Sequence, residues 1–430
     1  MAEPMRPTIV GRLLEREHLM PICDWLAVTL AASLPWSTSM TSISAGLLVL
    51  ALIPTLDVMA LRRELSTFAG GLPVLLWALG VAGMLWSDVS LAERLEGLNS
   101  FHKLLVIPLL LIHFRRSERG SWVMKGFLLS CGVLLVASWG FLLFPDFPGT
   151  KRITPGVPVK DHISQSAMFS VGIAIAADLA LSAWRRLRRD VALAYVALAF
   201  AFLANIFYIA TSRTALVVLP ILLLLFGLKR FNWKGAVALL AALLVLAAAA
   251  WPVSGFLRGR VSTIMQEIRD YRAMNADTSA GERLEFWKKS LGFVAAAPLI
   301  GHGTGTIPEL FRRAATGESG VSALASANPH NQTLAVAIQL GLVGVIVLYS
   351  MWIAHLLLFR GAGPAAWIGL AVVVQNMVGS LFNSHLFDFT HGWGYVLGVG
   401  IAGGIVLRSG RPSGRDTDRP IEQPRGQAPL

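Results

Sequence analysis

Residues 329–358 read PHNQTLAVAIQLGLVGVIVLYSMWIAHLLL, a polar tetrapeptide that runs directly into a long apolar segment. The apolar part, from 333 to 358, is long enough for a helix to cross the hydrocarbon core of a bilayer. On its N-terminal side the chain stays polar back to about Gly255. The stretch therefore predicts a membrane protein with a large loop outside the bilayer, whose last residues lie at the lipid boundary.

The composition of the whole chain agrees with insertion into a membrane. Of the 430 residues, 55% are hydrophobic and 14% are charged, which is too apolar for a soluble globular protein. The expected fold class is an all-α polytopic membrane protein. Apolar runs predict about twelve transmembrane helices, near 22–39, 42–60, 70–87, 101–114, 121–144, 163–183, 190–211, 214–228, 233–255, 333–358, 363–382 and 392–407.

The distribution of basic residues predicts the orientation of these helices. With the N-terminus inside, 22 of the 37 Lys and Arg residues fall in cytoplasmic segments, as the positive-inside rule requires. Both termini should therefore be cytoplasmic, and the net charge of +12 reflects membrane topology and not nucleic-acid binding. The predicted parts are an N-terminus (1–21), nine helices (22–255), a large outer loop with helices of its own (256–332), three helices (333–407) and a disordered cytoplasmic tail (408–430).

Fifteen basic residues remain on the outer side, where the topology gives no reason for them. One explanation is an anionic ligand such as a phosphate or a diphosphate. The other is that long loops cross the membrane whatever their charge, since the acidic residues on that side nearly balance the basic ones.

Two of these arginines stand out by their position. Arg213 lies in a tight turn, 210–215, between two apolar runs, where it either extends to the headgroups or lines a polar cavity. Arg283 lies near the start of an amphipathic helix predicted from Ser279, a possible N-cap, to about Ala297, which could rest on the membrane surface. Its guanidinium would add donors to the free N–H groups of that helix end, or it would form a surface salt bridge.

Histidines are the candidate acid–base groups. His330 directly precedes the helix that begins near 333, and the helix dipole and nearby arginines should keep its imidazole neutral. It could then accept a proton from a sugar hydroxyl, or simply bind a loop carbonyl. His302, in the loop Gly301-His-Gly-Thr-Gly305, is interpreted as structural, and this flexible loop lacks the context of a nucleotide-binding motif. Gly341 and Gly344 should allow close helix packing.

Other polar groups are less specific. Lys160-Asp161-His162 begins the sixth predicted helix, and His385, Asp388 and His391 lie in the last outer loop without a defined metal-ligand spacing. The outer side has no paired Asp motif for metal-dependent sugar transfer. Asp178, inside a predicted helix, either marks a proton or ion route or sits in a packed polar interior.

Four motifs together resemble the O-antigen ligase and polymerase family of bacterial envelope glycosyltransferases. They are Thr211-Ser-Arg-Thr214, Glu282-Arg-Leu-Glu-Phe-Trp287, Pro298-Leu-Ile-Gly-His-Gly-Thr-Gly305, and Pro329-His-Asn331 followed by Gly341-Leu-Val-Gly344. The resemblance implies a multi-span inner-membrane enzyme of the GT-C type whose large periplasmic loop (256–332) covers the active site. Such enzymes transfer a glycan from undecaprenyl diphosphate, and in the ligases the acceptor is the lipid A–core oligosaccharide.

The resemblance also implies residue roles. His330 would be the general base, and Arg213 and Arg283 would hold the diphosphate in an inverting, metal-independent transfer without a cofactor. Further candidates for binding the diphosphate or glycan are Lys103, Arg152, Lys160, Asp161, His162, Asn331 and Asp388. Expected partners are the lipid-linked donor, the lipid A–core acceptor and membrane lipids.

Three alternatives remain at this stage. O-antigen polymerases use two substantial outer loops, whereas the loop at 145–162 is short. Protein-glycosylating relatives carry a longer C-terminal periplasmic part. Both points favour the ligase. A transporter of lipid-linked glycan would use the outer arginines as a funnel and Asp178 as a coupling acid. Against it, the sequence has no evident inverted repeat and its polar residues lie almost wholly on one side.

Overall fold

The computed structural model describes residues 16–144, 155–253 and 255–410, and in these ranges the chain forms helices and no strands. The first eight α-helices are α1 (Arg16–Ser33), α2 (Thr38–Leu52), α3 (Val58–Leu65), α4 (Phe68–Gly83), α5 (Leu91–His102), α6 (Val106–Phe114), α7 (Gly120–Leu143) and α8 (His162–Arg185). The next eight are α9 (Arg189–Tyr208), α10 (Arg213–Val253), α11 (Gly255–Met274), α12 (Ser279–Ala296), α13 (Ile307–Ala315), α14 (Gln332–Leu358), α15 (Pro364–Gly379) and α16 (Phe389–Ser409). Short 3-10 helices lie at Ile53–Thr55, Lys103–Leu105 and Gly320–Ala323.

The predicted all-α class is confirmed, but the count of twelve spans is not. Among the described residues, eight helical segments are long and apolar enough to cross a membrane, or nine if α3 and α4, bent by 83°, form one broken span. The apolar segments His18–Ser33 of α1 and Pro364–Gly379 of α15 are shorter than these spans. The predicted eighth and ninth spans are two arms of α10, which is interrupted at Asn232, where φ is 71°.

The core lies between the membrane helices, where small residues allow close contact. α16 packs along α6, and α8 packs along α9. At Gly400 and Gly404 of α16, an added Cβ would lie 2.5 Å from Leu110 and 2.6 Å from Phe114 of α6. These glycines therefore let the two helices approach more closely than any larger residue would permit.

The long polar interval is folded, as the sequence predicts, into α11, α12, α13 and the 3-10 helix at Gly320–Ala323. Helix α12 has the predicted extent, but its N-cap is Thr278, which accepts from the N–H of Gly281, and not Ser279. Phe286 and Phe293 of α12 both pack edge-on against Phe311 of α13. Part of the apolar face of α12 is therefore covered by protein and not free to lie on the membrane surface.

The glycine-rich loop is not the flexible loop that the sequence suggests. Helix α14 is broken at Gly341, where φ is 60°, and the chain around Gly301 occupies the gap. The N–H groups of His302 and Gly303 bind the free carbonyls of Ile338 and Gln339, while Leu342 N–H binds the carbonyl of Pro298 at 2.8 Å.

An added Cβ at Gly341 would lie 2.3 Å from the carbonyl carbon of Leu299. Gly341 thus allows the backbone of α14 to contact the backbone at Leu299, and it does not serve the helix–helix packing that we expected. His302 is structural, as predicted, because its Nε2 lies 2.8 Å from the carbonyl oxygen of Phe293.

Candidate functional site

Arg213 is fixed at the first residue of α10 by an ion pair that bridges three helices. Its two terminal nitrogens donate to the two carboxylate oxygens of Glu267 on α11, at 3.0 and 2.7 Å. Glu267 also accepts from the N–H of Ala280 in the first turn of α12. The hydrogen bond from Arg213 holds the pKa of Glu267 below its usual value, although burial acts in the opposite direction. Arg213 is therefore oriented by protein contacts and does not extend freely to the headgroups.

Arg283 lies one turn into α12 and has few partners in the part of the chain that the structure describes. One terminal nitrogen donates to the carbonyl and hydroxyl oxygens of Ser279, at 3.2 and 3.1 Å, and the buried Nε donates to no described atom. Burial lowers the pKa of Arg283, and the nearby charge of Arg213 lowers it further. A second guanidinium, less well neutralised than the first, thus faces the same region, which favours an anion between them.

Both arginines line one cavity of about 440 Å³. Its other lining residues are mostly apolar and come from α9, α10, α11 and α12, together with Phe382 from the loop before α16. Trp287 of α12 is also part of this wall, and its indole N–H donates to the carbonyl oxygen of His330 at 3.3 Å. The cavity therefore combines two cationic groups with an apolar surface, and it lies beside the residue that precedes α14.

His330 is held in an unusual backbone conformation. Its φ is 53°, in the left-handed region that non-glycine residues rarely adopt, and such strain persists only where neighbouring contacts fix it. The N–H of His330 donates to the side-chain oxygen of Asn328 at 2.8 Å. Its ring stacks on Phe286, with centroids 5.9 Å apart and planes within 11°. The ring of His330 is thus held against Phe286 of α12, and its backbone is fixed by Asn328 in the segment that leads into α14.

The electrostatic surroundings favour the neutral form of this imidazole. Burial lowers the pKa of His330, the charge of Arg283 lowers it further, and a hydrogen bond with Asn383 partly opposes them. Its Nδ1 lies 3.2 Å from the side-chain oxygen of Asn383, which can only accept. Nδ1 must therefore carry the proton, and Nε2 keeps a lone pair that can take a proton from a substrate. The predicted neutral state of His330 agrees with these contacts.

Asn331 acts as the N-cap of α14. Its side-chain oxygen accepts from the N–H of Leu334 at 3.1 Å, and its amide group donates to the carbonyl of Leu381 at 3.2 Å. Both polar ends of the side chain are engaged in holding α14 and the loop before α16. Substrate binding by Asn331 stays a prediction.

The remaining predicted binding residues form a second polar group that does not line the arginine cavity. Lys103 is buried and donates to the carbonyls of Phe387 and Asp388, at 2.9 and 2.7 Å. Lys160 donates to the carbonyl of Leu34 and to the hydroxyl of Thr390, and burial lowers its pKa to about 8.

Two acidic members of this group are helix caps. Asp161 accepts from the N–H groups of Ile163 and Ser164, both at 2.9 Å, at the start of α8. Asp388 caps α16, and Nδ1 of His391 lies 2.7 Å from its carboxylate. Burial alone would raise the pKa of Asp388, but the hydrogen bonds and charge of His391 lower it overall.

His162 is the first residue of α8 and is half-buried. Arg152 lies outside the described residues. The contacts given above for the second group go to backbone carbonyls, a hydroxyl, helix ends and His391, and its role in binding diphosphate or glycan stays a prediction.

The acid in the sixth predicted span has a basic partner. Asp178 of α8 forms an ion pair with Arg230 of α10, which also donates to the carbonyl of Ala362 at 2.6 Å. These contacts favour the packed polar interior over the ion route. Among the described residues, no group of three or more His, Cys, Asp or Glu side chains is arranged to hold a metal ion, and independence from metals and cofactors stays a prediction.

Sequence reasoning missed Glu267, Asn383 and Phe382. Each lies more than fifty residues from Arg213 or His330 along the chain, and none belongs to a recognised motif. A carboxylate facing the outer arginines was to be expected on charge grounds, but its position in α11 could not be chosen from the sequence.

The fold and cavity define a class of protein: a multi-span helical membrane protein with a two-arginine cavity next to a neutral histidine. Residues 198–349, which contain Arg213, Arg283 and His330, match the family model described as O-antigen ligase. No curated protein matches the chain significantly.

Proposed function

We propose that the protein is an O-antigen ligase, which transfers O-antigen polysaccharide from undecaprenyl diphosphate to the lipid A–core oligosaccharide. The observation that carries this proposal is the pair of arginines in one cavity beside a histidine whose Nδ1 lies 3.2 Å from the side-chain oxygen of Asn383, which favours a free lone pair on Nε2. The site would face the periplasm from the bacterial inner membrane, with both termini in the cytoplasm, as the distribution of basic residues indicates.

A second cavity supports a lipid-linked donor. A groove of about 670 Å³ with an almost wholly apolar lining runs between α8, α9 and α10, all of them candidate membrane spans. Phe207 and Leu216 line both this groove and the arginine cavity, so the two cavities are adjacent. An apolar groove next to two guanidinium groups fits a ligand with a hydrocarbon chain and a diphosphate head. In the proposal, the groove takes the polyprenyl chain of the donor.

The proposed reaction is a direct displacement. The acceptor hydroxyl oxygen attacks the anomeric carbon of the glycan from the face opposite the diphosphate, which inverts the configuration at that carbon. The new carbon–oxygen bond forms as the bond to the diphosphate oxygen breaks, and undecaprenyl diphosphate leaves. Nε2 of His330 takes the hydroxyl proton, as a general base does. Arg213 and Arg283 stabilise the negative charge that the leaving diphosphate gains.

The contacts of Asp178 disfavour the transporter alternative, since its carboxylate is occupied by Arg230. The polymerase alternative shares the donor and the chemistry, and differs only in the acceptor, which would be a second lipid-linked glycan. The identity of the acceptor therefore separates the two enzyme functions.

The test is complementation of a ligase-deficient host, read as lipopolysaccharide on gels. Wild type should restore a ladder of core-attached O-antigen, and His330→Ala at the same membrane level should not. His102→Ala is the control, because His102 is an exposed histidine on α5 whose ring packs against Trp77 and not beside the arginine cavity. No ladder with wild type, even in a host that supplies the native core, would reject the ligase function. Longer lipid-linked glycan in that experiment would instead indicate a polymerase.

A further inference from the structure

A network of hydrogen-bonded amide groups lies beside the imidazole of His330. The side-chain oxygen of Asn383 accepts from Nδ2 of Asn328 at 2.7 Å and from the N–H of Ser384 at 2.9 Å, and it lies 3.2 Å from Nδ1 of His330. The side-chain oxygen of Asn328 accepts from the N–H of His330 and from the hydroxyl of Ser384. Asn383 thus contacts the ring of His330, Asn328 contacts its backbone N–H, and Ser384 ties the two asparagines together.

The network fixes which atom of Asn383 faces the histidine. A backbone N–H can only donate, so the atom of Asn383 that it contacts must be the carbonyl oxygen and not the amide nitrogen. That oxygen lacks a proton to give, and the hydrogen bond to His330 forms only when Nδ1 is protonated. The tautomer with a free Nε2 lone pair is therefore selected by a chain of contacts that ends at the backbone of Ser384.

We infer that Asn383 is a positioning residue for His330: it orients the ring and selects the tautomer in which Nε2 is the proton acceptor. This inference rests on the proposed function, since it assigns His330 the role of general base. The comparison with serine hydrolases is physical, because there a third group likewise holds the base by its Nδ1–H, and the wrong tautomer costs activity. Here the third group is a neutral amide.

The position of Asn383 also connects the base to the donor cavity. Its neighbour Phe382 lines that cavity with Arg213 and Arg283. The same loop is tied to the start of α14, because the carbonyl of Ser380 accepts from the N–H of Gln332 at 2.9 Å. A donor seated in the cavity thus touches the segment that carries the positioning group.

The test compares Asn383→Ala with Asn383→Asp in purified, reconstituted protein. Asn383→Ala removes the acceptor and should lower kcat by about ten- to a hundred-fold, which is less than the roughly 10²–10⁴-fold that general-base catalysis itself contributes, because the base is still present. KM for the donor should change little. The control is Asn275→Ala. It removes an amide group that donates a hydrogen bond to the carbonyl oxygen of Ser319 in the polar interval, away from His330, and it should leave kcat unchanged.

Asn383→Asp keeps the acceptor but adds a negative charge beside Nδ1. The charge favours the imidazolium, so the pKa of His330 should rise and the acidic limb of the kcat profile should move to higher pH. Arg283, the charged group that acts on His330 from α12, opposes this shift but is the same in both proteins. At high pH the Asp variant should recover most of the activity that the Ala variant lacks. A merely structural role would not move the pH profile.

A second readout does not need activity. In protein labelled with ¹⁵N-histidine, the signals that disappear in His330→Gln should report a protonated Nδ1 and an unprotonated Nε2, and Asn383→Ala should mix the two tautomers. Unchanged kcat in Asn383→Ala, or the same tautomer with and without Asn383, would overturn the inference. If wild type transfers no glycan while the tautomer responds as expected, the proposed function fails and the positioning contact stands.

Discussion

Replacement of Arg283 by alanine should separate catalysis from stability. In the described structure its protein hydrogen bonds go only to Ser279, one turn earlier in the same helix. An ordinary hydrogen bond contributes about 0.5–1.5 kcal/mol to the free energy of unfolding. Loss of Arg283 also removes its repulsion with Arg213, which offsets part of that amount. The variant should therefore insert normally, with a Tm close to that of wild type.

The effect on transfer should be much larger. Arg283 faces the cavity where the leaving diphosphate would gain charge, and removal of one preorganised donor to a developing anion typically costs about 2.7–4 kcal/mol of barrier. This corresponds to a loss of roughly a hundred- to a thousand-fold in kcat. Arg283→Lys keeps the charge but not the planar, two-pronged donor, so it should recover only part of the loss.

The assay is transfer from a polyprenyl-diphosphate-linked glycan to purified lipid A–core in proteoliposomes, with kcat and Tm measured on the same preparation. Lys288→Ala is the matched control on the same helix, because the Lys288 side chain is 74% exposed and its ion pair with Glu285, at 3.6 Å, is a surface pair of little energy. Near-normal kcat in Arg283→Ala would refute the role of this arginine. An equal loss in Lys288→Ala would show that the assay reports a general disturbance of α12.

Three further predictions follow from named contacts. The pKa of His330 is lowered from about 6.5, and a histidine must be neutral to act as a base. As the pH falls, kcat should therefore stay constant through pH 6.5 and decline only below it. A decline centred above pH 6.5 would contradict this prediction. Gly341→Ala should lower Tm, because φ is positive there and the added Cβ would lie 2.3 Å from the carbonyl carbon of Leu299. Gly292→Ala is the control and should leave Tm unchanged, since the space around Gly292 in α12 is open. Equal Tm values for the two variants would refute the interpretation of the α14 break. Ala177→Trp should fill the apolar groove and raise KM for a donor with a full-length polyprenyl chain but not for a short-chain analogue, and an equal KM for both donors would remove the groove from the donor site.

The membrane character and the helical class could be predicted from the sequence because hydropathy is a local property. Each predicted apolar run is largely helical in the structure where it is described, but turns interrupt some of them, as at 34–37 in the run 22–39, and the count of twelve spans is not confirmed. Runs 214–228 and 233–255 fall on two helical arms that meet at the non-helical residue Asn232, and the candidate span that includes both ends at Ala241. The bend between α3 and α4 lies in the polar interval that separates the predicted runs 42–60 and 70–87.

The candidate site was predicted in part. Arg213, Arg283 and His330 lie in sequence motifs, and the two arginines do share a cavity beside the histidine. Lys103, Lys160 and Asp388 were grouped with them by charge alone, and the structure instead directs their polar atoms to carbonyls, a hydroxyl and a helix end. Charge in a sequence shows that a partner is needed, but not which partner it will be.

The sequence by itself therefore determined what depends on neighbours along the chain: the apolar helices, the helices of the polar interval, and the motifs that carry two arginines and a histidine. Only the tertiary structure decided how Glu267 orients Arg213, how Asn383 selects the tautomer of His330, and how the backbone at Gly301 repairs the break at Gly341. The physical reason is that a hydrogen bond acts over about 3 Å. Its partners come from distant segments, so they are known only when the packing of the helices has brought them together.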